Sequence, residues 1–445
     1  MGLGIVQTKY GKLKGVFKQN YTVFRGIPYA EAPVGDLRWK APRKPISWEG
    51  VRITKEFGKR CSQATPIRPG TLYHKEFYND EDYLLEMSED CLYLNVWTPA
   101  ESGDEKLPVA FWIHGGAFSG GNSSEIEFDG AAYCEQGVIL VTINYRLGLL
   151  AFLAHPELTS ESEYNASGNY GILDQIAALK WVNENIESFG GDPNKVMVFG
   201  QSAGAMSVQT LISSSLTSGM ISSAIMQSGG GYKERLNKDV TLSDAEEQGK
   251  EIVALSGLAS INEMRKLPAE EILKIAGQYV EKLIKKGNIG LAFIPCMDGY
   301  VLEQSYDETI EKGLHHPIPY IIGSTANDIT ATPGVGTNDE NGLLYTGCIN
   351  WGLQEEKLGR KPVYMYYFTR CPLGDDAGAF HSCDLWYMFA TLDRNWRPKD
   401  RQDYDLARRM VTYWCNFAKH GDPNGADLPL WKPFTTNEQV VMELK

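Results

Sequence analysis

Six apolar segments along the chain are rich in β-branched and aromatic residues, and several of them end in glycine. Because apolar residues fill consecutive positions of these segments rather than alternate ones, the pattern predicts strands buried on both faces, as in a parallel sheet. We therefore expect a mostly parallel central sheet. The predicted strands lie in residues 107–116, 137–148, 195–200, 222–230, 317–323 and 362–368.

Helical periodicity occurs between two of these predicted strands. The apolar residues of segment 174–190 recur at helical spacing, and a Gly-Gly pair ends the pattern. Strand, helix and strand in succession form a βαβ unit, which indicates an α/β fold with helices packed on the sheet. Residues 241–286 have a polar, helical pattern, and we expect them to form a helical insertion over one end of the sheet.

The composition is that of an ordinary globular protein, with 445 residues of which 43% are hydrophobic and 22% charged. No internal repeat or Pro/Ser-rich linker divides the chain, so we expect a single domain over residues 1–445. The net charge of −13 argues against nucleic-acid or anionic-membrane partners, because both require basic surface.

Several classes of protein are disfavoured by missing motifs. The first residues contain no apolar leader segment, and no apolar run is long enough to cross a membrane, so we expect a cytoplasmic protein. The eight cysteines show no C-x-x-C spacing, and H-E-x-x-H, Walker A and dinucleotide-binding motifs are missing. We therefore expect neither a metal nor an organic cofactor.

A serine between two glycines follows one predicted strand, in the segment GQSAG at residues 200–204. The residues after it have a helical pattern, so Ser202 would lie on a tight strand-to-helix turn. This is the context of a nucleophile elbow, in which the hydroxyl is exposed beside the positive end of a helix. The alternative is a serine that caps the helix, and a lone G-x-S-x-G pattern does not decide between them.

A second glycine-rich turn, HGGAFSGG at residues 114–121, also follows a predicted strand. Such a turn can present backbone N–H groups to a developing oxyanion. Ala117 stands where a third glycine is common, and an N–H donor needs no particular side chain. A plain strand-to-helix connection is the alternative, which the occurrence of two such turns in this order makes less attractive.

Eight segments of the chain carry a resemblance to one known family: residues 24–42, 88–99, 114–118, 144–148, 168–204, 293–299, 378–389 and 413–425. In these segments the chain resembles the type-B carboxylesterases, a family of α/β-hydrolases that includes the cholinesterases, and within it the bacterial-type enzymes. The resemblance implies an α/β-hydrolase fold with helical insertions over the site, Ser202 as nucleophile, and an oxyanion hole formed by the N–H groups of Gly116, Ala117 and Ala203. It implies a small-molecule ester as the substrate.

The catalytic histidine is predicted by its place in the chain. In α/β-hydrolases the order is serine, acid, histidine. His381 lies in a loop after the strand predicted at residues 362–368, and the resemblance also selects it. His420 follows an amphipathic helix, where a residue that becomes cationic on protonation commonly occurs for its favourable interaction with the helix dipole.

Two carboxylates compete for the role of the third catalytic residue. The family usually carries a glutamate shortly after a late strand, and matching the glycines places Asp328 at that position. Aspartate fills the same role in other α/β-hydrolases. Glu340 is the alternative, although it lies 17 residues past Gly323 and so far from the strand end. We expect Asp328, with His381 and Ser202, to complete a Ser-His-Asp triad.

Three further features depart from the family or stay open. Gln201 replaces the glutamate that commonly precedes the nucleophile, and we expect its side chain to point away from substrate. The segment 346–361 is shorter than its counterparts, which predicts a more open acyl or alcohol site than in the cholinesterases. Cys61 and Cys91 match a family disulfide, which a reducing cytoplasm would keep as thiols.

Two other functions would suit the same sequence. Some members of the type-B fold are adhesion proteins that have lost the triad, so a non-catalytic binding module is the rival from another class. Acyl transfer to a nucleophile other than water would use the same residues as hydrolysis.

Overall fold

The structure is a computed structural model, which describes residues 2–64, 69–233, 235, 236, 238–288, 290–329 and 342–445. Fifteen strands lie within these residues. In chain order they are β1 Ile5–Gln7, β2 Lys12–Lys14, β3 Val16–Phe17, β4 Thr22–Pro28, β5 Val51–Ile53, β6 Arg60–Cys61, β7 Met87–Ser88, β8 Tyr93–Thr98, β9 Leu107–Ile113, β10 Ile139–Ile143, β11 Gly191–Gln201, β12 Ser223–Gln227, β13 Tyr320–Thr325, β14 Val363–Phe368 and β15 Met442–Leu444.

The central sheet has ten strands in the order β15-β14-β13-β12-β11-β9-β10-β8-β4-β3. All pairs from β15 to β10 are parallel, whereas β8, β4 and β3 add antiparallel strands at one edge. The six predicted strands are β9 to β14, and they occupy adjacent places in the sheet. The expectation of a mostly parallel sheet is therefore confirmed.

Thirteen α-helices occur in the described part of the chain. They are α1 Leu72–Phe77, α2 Ala131–Glu135, α3 Leu149–Phe152, α4 Pro156–Glu161, α5 Tyr170–Asn185, α6 Ala203–Ser213, α7 Leu242–Ser256, α8 Ile261–Met264, α9 Ala269–Lys285, α10 Tyr306–Glu311, α11 Gly342–Lys357, α12 Leu385–Met388 and α13 Arg401–His420.

Helices cover both faces of the sheet. Alternate residues of β9 belong to two separate apolar clusters: Phe111 lies in the cluster that includes α5 and α6, and Trp112 lies in the cluster that includes α2 and α13. This two-sided burial explains why the central strands are apolar at consecutive positions. Trp112 and Phe118 are both fully buried, so they belong to the core rather than to a substrate-contacting surface.

The predicted helical segment 241–286 forms α7, α8 and α9. It lies in the connection between the neighbouring parallel strands β12 and β13. Apolar residues of α9 such as Ile272 and Ile275 join the cluster on the α5 side. None of the helices in the described ranges is long and apolar enough to cross a membrane.

Candidate active site

Ser202 lies at the turn between β11, which ends at Gln201, and α6, which begins at Ala203. Its backbone has φ 57° and ψ −125°, a conformation that costs energy for a residue with a Cβ. The turn is held by the Ser202 N–H, which donates to the carbonyl oxygen of Gln227 at 2.8 Å. This geometry is that of a nucleophile elbow.

The two glycines of the elbow are required by close backbone packing. A Cβ on Gly200 would lie 2.5 Å from the carbonyl carbon of Gly204. A Cβ on Gly204 would lie 2.1 Å from the carbonyl oxygen of Ile113. Both distances are far below van der Waals contact, so neither position accepts a larger residue without a backbone shift.

The glycine-rich turn after β9 packs directly against the elbow. A Cβ on Gly115 would lie 3.2 Å from the Cβ of Ser202. Gly116 and Ala117 have positive φ, 102° and 56°. Within the described residues, the N–H groups of Gly116, Ala117 and Ala203 make no hydrogen bond to other protein groups, which leaves them free to donate to a ligand.

Side chains from outside the turn hold it in place. The Gln63 amide donates to the carbonyl oxygen of Gly121 and accepts from its N–H, both at 3.0 Å. The Tyr145 hydroxyl donates to the carbonyl oxygen of His114 at 2.9 Å, and the two rings stack with centroids 4.5 Å apart. Burial lowers the pKa of His114 to about 4, so this histidine is neutral and serves packing.

His381 and Asp328 form a buried pair at the carboxyl ends of the neighbouring strands β14 and β13. The distance from His381 Nδ1 to Asp328 Oδ1 is 2.5 Å. The other carboxylate oxygen of Asp328 accepts from the N–H and the hydroxyl of Thr325, each at 3.1 Å. The two loops are tied by Asn327, whose N–H donates to the carbonyl oxygen of Ala379 at 2.9 Å.

The pKa values of the pair move in the directions expected of ion partners. Burial by itself raises the pKa of Asp328. The charge of His381 and the hydrogen bonds that the Asp328 carboxylate accepts outweigh burial, so this pKa is lowered. Burial likewise lowers the pKa of His381, and the nearby Asp328 carboxylate more than reverses this, so the pKa lies above its usual 6.5. The carboxylate is thus ionised, and it fixes the imidazole with Nδ1 protonated.

Glu340, the alternative acid, lies outside the described residues. His420 is the last residue of α13 and is exposed, in keeping with a helix-terminal role. Cys61 and Cys91 are joined as a disulfide with their Cα atoms 4.9 Å apart.

Ser202 and His381 share one cleft of about 440 Å³. Its walls include the glycine-rich turn and an apolar surface made by Tyr73, Phe77 and Leu385. No group of His, Cys, Asp or Glu side chains suited to a metal ion was found among the described residues.

Sequence reasoning missed two polar features of this cleft. Gln201 lines it, with its amide nitrogen 3.1 Å from His381 Nε2, so the expectation that this side chain points away from substrate is wrong. Glu125 and Glu127 also line the cleft; burial raises the pKa of both, and their proximity to one another raises that of Glu127 further. The burial of Glu125 and Glu127 depends on the tertiary fold, so no sequence pattern predicts it.

Known proteins of one family resemble this chain over nearly its whole length. The model of the carboxylesterase family matches residues 3–343 and 343–445. The fumonisin B1 esterase of Sphingopyxis macrogoltabida is 33% identical, covering 98% of this chain and 85% of that protein. The para-nitrobenzyl esterase of Bacillus subtilis (strain 168) is 34% identical, covering 94% of this chain and 90% of that protein.

A solved structure of a thermophilic para-nitrobenzyl esterase superimposes with a TM-score of 0.86 at 31% identity, covering 99% of this chain and 95% of that one. The sequence match and the fold match therefore both extend over nearly the whole chain. The chain belongs to the carboxylesterase family and is a carboxylic ester hydrolase with the α/β-hydrolase fold.

Proposed function

We propose that this protein hydrolyses carboxylic esters through an acyl-enzyme on Ser202, with His381 as the base and Asp328 as the third member of the triad. The observation that carries the proposal is the buried His381–Asp328 hydrogen bond of 2.5 Å at the edge of the cleft that also contains Ser202. An imidazole fixed in this way presents Nε2 towards the cleft, as a serine hydrolase requires.

In the first half of the reaction, the Ser202 Oγ attacks the ester carbonyl carbon while His381 Nε2 accepts its proton. Asp328 stabilises the imidazolium that forms. His381 then donates the proton to the leaving alcohol as the C–O bond breaks, which leaves an acyl group on Ser202. In the second half, water attacks the acyl carbon while His381 Nε2 accepts a proton from it. His381 then returns this proton to Ser202 Oγ as the bond between the acyl carbon and Oγ breaks, which releases the acid.

The N–H groups of Gly116, Ala117 and Ala203 are proposed to stabilise the negative oxygen of the tetrahedral intermediates. Their freedom from other hydrogen bonds supports this role, because a donor already paired within the protein would gain less. One such donor contributes about 3 kcal/mol to transition-state stabilisation in serine hydrolases. No metal or organic cofactor takes part in this scheme.

We propose that the site accepts bulky acyl or alcohol groups. Segment 346–361, which the sequence suggests is shortened, begins within α11. Ile329 at the cleft is 56% exposed and Ser202 is only partly buried, which suits an open cleft better than a narrow gorge. A series of esters of increasing acyl length tests this: kcat/KM should stay level or rise with length, and a sharp fall beyond short chains would oppose it.

Labelling with a serine-directed fluorophosphonate tests the proposed chemistry. We expect mass spectrometry to find the adduct on Ser202, and Ser202→Ala to lose both the adduct and about 10⁶-fold in kcat. Ser218→Ala, at an exposed serine, is the matched control and should behave as the wild type.

The same experiment separates the rival functions. Lack of both label and esterase activity in the folded wild type would favour a binding module. Label without free acid, but with ester product when an alcohol is added, would favour acyl transfer.

A further inference from the structure

The Gln201 side chain is hydrogen-bonded to Nε2 of His381, which is the ring nitrogen that the proposed reaction uses. Gln201 is 2% exposed, and its Nε2 lies 3.1 Å from His381 Nε2. Because Asp328 holds the proton on Nδ1, Nε2 carries a lone pair and accepts a hydrogen bond from the Gln201 amide. The amide nitrogen rather than its oxygen faces the ring, since two acceptors would repel.

This hydrogen bond competes with the one that activates the nucleophile. The lone pair of an imidazole nitrogen accepts one well-directed hydrogen bond, and Ser202 must donate to it before its proton can move. Both residues are fully described, and no hydrogen bond joins Ser202 Oγ to His381 Nε2. In the resting site the base is therefore capped by the residue that precedes the nucleophile.

Ionisable groups around His381 explain why a neutral partner matters. Asp328 contacts Nδ1 of the His381 ring. Asp384, three residues after His381, is a second carboxylate and is fully buried. Its side chain accepts hydrogen bonds from Gln227 at 3.0 Å and from Tyr366 at 3.2 Å. The hydroxyl of Tyr73 donates to the carbonyl oxygen of His381 at 3.1 Å.

Glu125 and Glu127 lie on the same cleft as this group. The carboxylates of Asp328 and Asp384 favour the protonated imidazole, which cannot act as a base.

We propose that Gln201 is a positioning residue for His381. The Gln201 amide keeps the imidazole neutral and His381 Nε2 directed into the cleft, until the Ser202 hydroxyl replaces the amide as the hydrogen-bond donor. No proton moves in this exchange of donors. A glutamate, which family members commonly carry here, would instead bring a negative charge about 3 Å from Nε2, favour the protonated imidazole and accept a hydrogen bond from its Nε2–H. The inference rests on the proposed role of His381 as base and adds a reason for glutamine at this position.

The pH dependence of kcat/KM on a neutral ester tests the inference, because a residue that only packs would not move it. Gln201→Glu should raise the pKa of the acidic limb by at least about one unit. Gln201→Met has a similar length but no donor, and it should raise that pKa by less, since only the hydrogen bond to the neutral imidazole is lost. Gln402→Glu adds the same charge at an exposed site and should leave the limb unchanged.

NMR titration of the His381 imidazole in the same variants provides a readout that needs no turnover. The pKa should increase in the order wild type, Gln201→Met, Gln201→Glu. Equal values in all three would overturn the role of Gln201, whatever the activities are. Failure of the ester-hydrolysis mechanism would appear differently, as wild-type protein that is not labelled at Ser202 while the order of pKa values persists.

Discussion

Two buried histidine–carboxylate pairs occur in the described part of this molecule, and their surroundings differ. In one, His381 Nδ1 lies 2.5 Å from Asp328 Oδ1. In the other, His315 Nε2 lies 2.6 Å from Glu355 Oε1. Distance and burial barely distinguish them, so a close His–carboxylate contact does not by itself identify a catalytic base.

The two pairs differ in the surroundings of the histidine ring nitrogen that does not face the carboxylate. His315 Nδ1 is buried and has no hydrogen-bond partner in the described part of the protein. The rings of Trp351 and Tyr320 lie 5.1 Å and 6.1 Å from that of His315. His381 Nε2 instead faces Gln201 beside the substrate cleft. The His315–Glu355 pair joins α11 to the segment before β13, whereas the His381–Asp328 pair has its histidine on the wall of the cleft.

Replacing each histidine in turn gives the largest expected contrast. We expect His381→Gln to lower kcat by about 10⁵–10⁶-fold, because the base is lost. His315→Gln should keep kcat within about tenfold when activity is referred to folded protein measured by circular dichroism. Similar losses of kcat in both folded variants would mean that the position of a histidine relative to the cleft does not decide whether it is needed for activity.

The acid partner of His381 is expected to have the next largest effect. Asp328→Asn should lower kcat by about 10⁴-fold, since an amide no longer fixes the imidazole tautomer or stabilises the imidazolium. Glu340→Gln is the control and should retain near wild-type activity on the same ester. The reverse result would transfer the acid role to Glu340.

The smallest effect is expected from the His315–Glu355 pair, and it is an effect on stability. His315→Leu leaves Glu355 buried without its partner, which should lower the free energy of unfolding by about 3–5 kcal/mol in urea titrations. The double variant His315→Leu/Glu355→Leu removes the stranded carboxylate and should recover much of the loss. If the single variant were as stable as the wild type, the contact would contribute nothing to the core.

Much of the sheet could be predicted because burial on both faces forces apolar residues onto consecutive positions, as in β9 to β14. The antiparallel strands β4 and β8 escaped prediction. β8 contains Asn95, a polar residue whose burial is tolerated through hydrogen bonds to Ser123 and Thr142 at 3.1 Å and 3.0 Å. Those partners are distant in the chain, so a local pattern does not reveal them.

The local geometry of the site was also accessible to sequence reasoning. Gly200 and Gly204 predicted a tight elbow around Ser202, and the strand before it and helix after it could be seen in the periodicity. Gln201 was misjudged. The direction of its side chain depends on the backbone of the elbow and on the place of His381, 180 residues further along the chain.

The sequence by itself determined the parallel sheet, the serine elbow, the glycine-rich turn and the order of the candidate triad residues, because each follows from backbone geometry over a few neighbouring positions or from chain order. Only the tertiary structure decided that His381 meets Asp328, that the Gln201 amide contacts His381 Nε2, and that His315 lies away from the cleft with Glu355. These outcomes depend on which loops converge at the ends of the strands, and on the burial and hydrogen bonding that convergence creates.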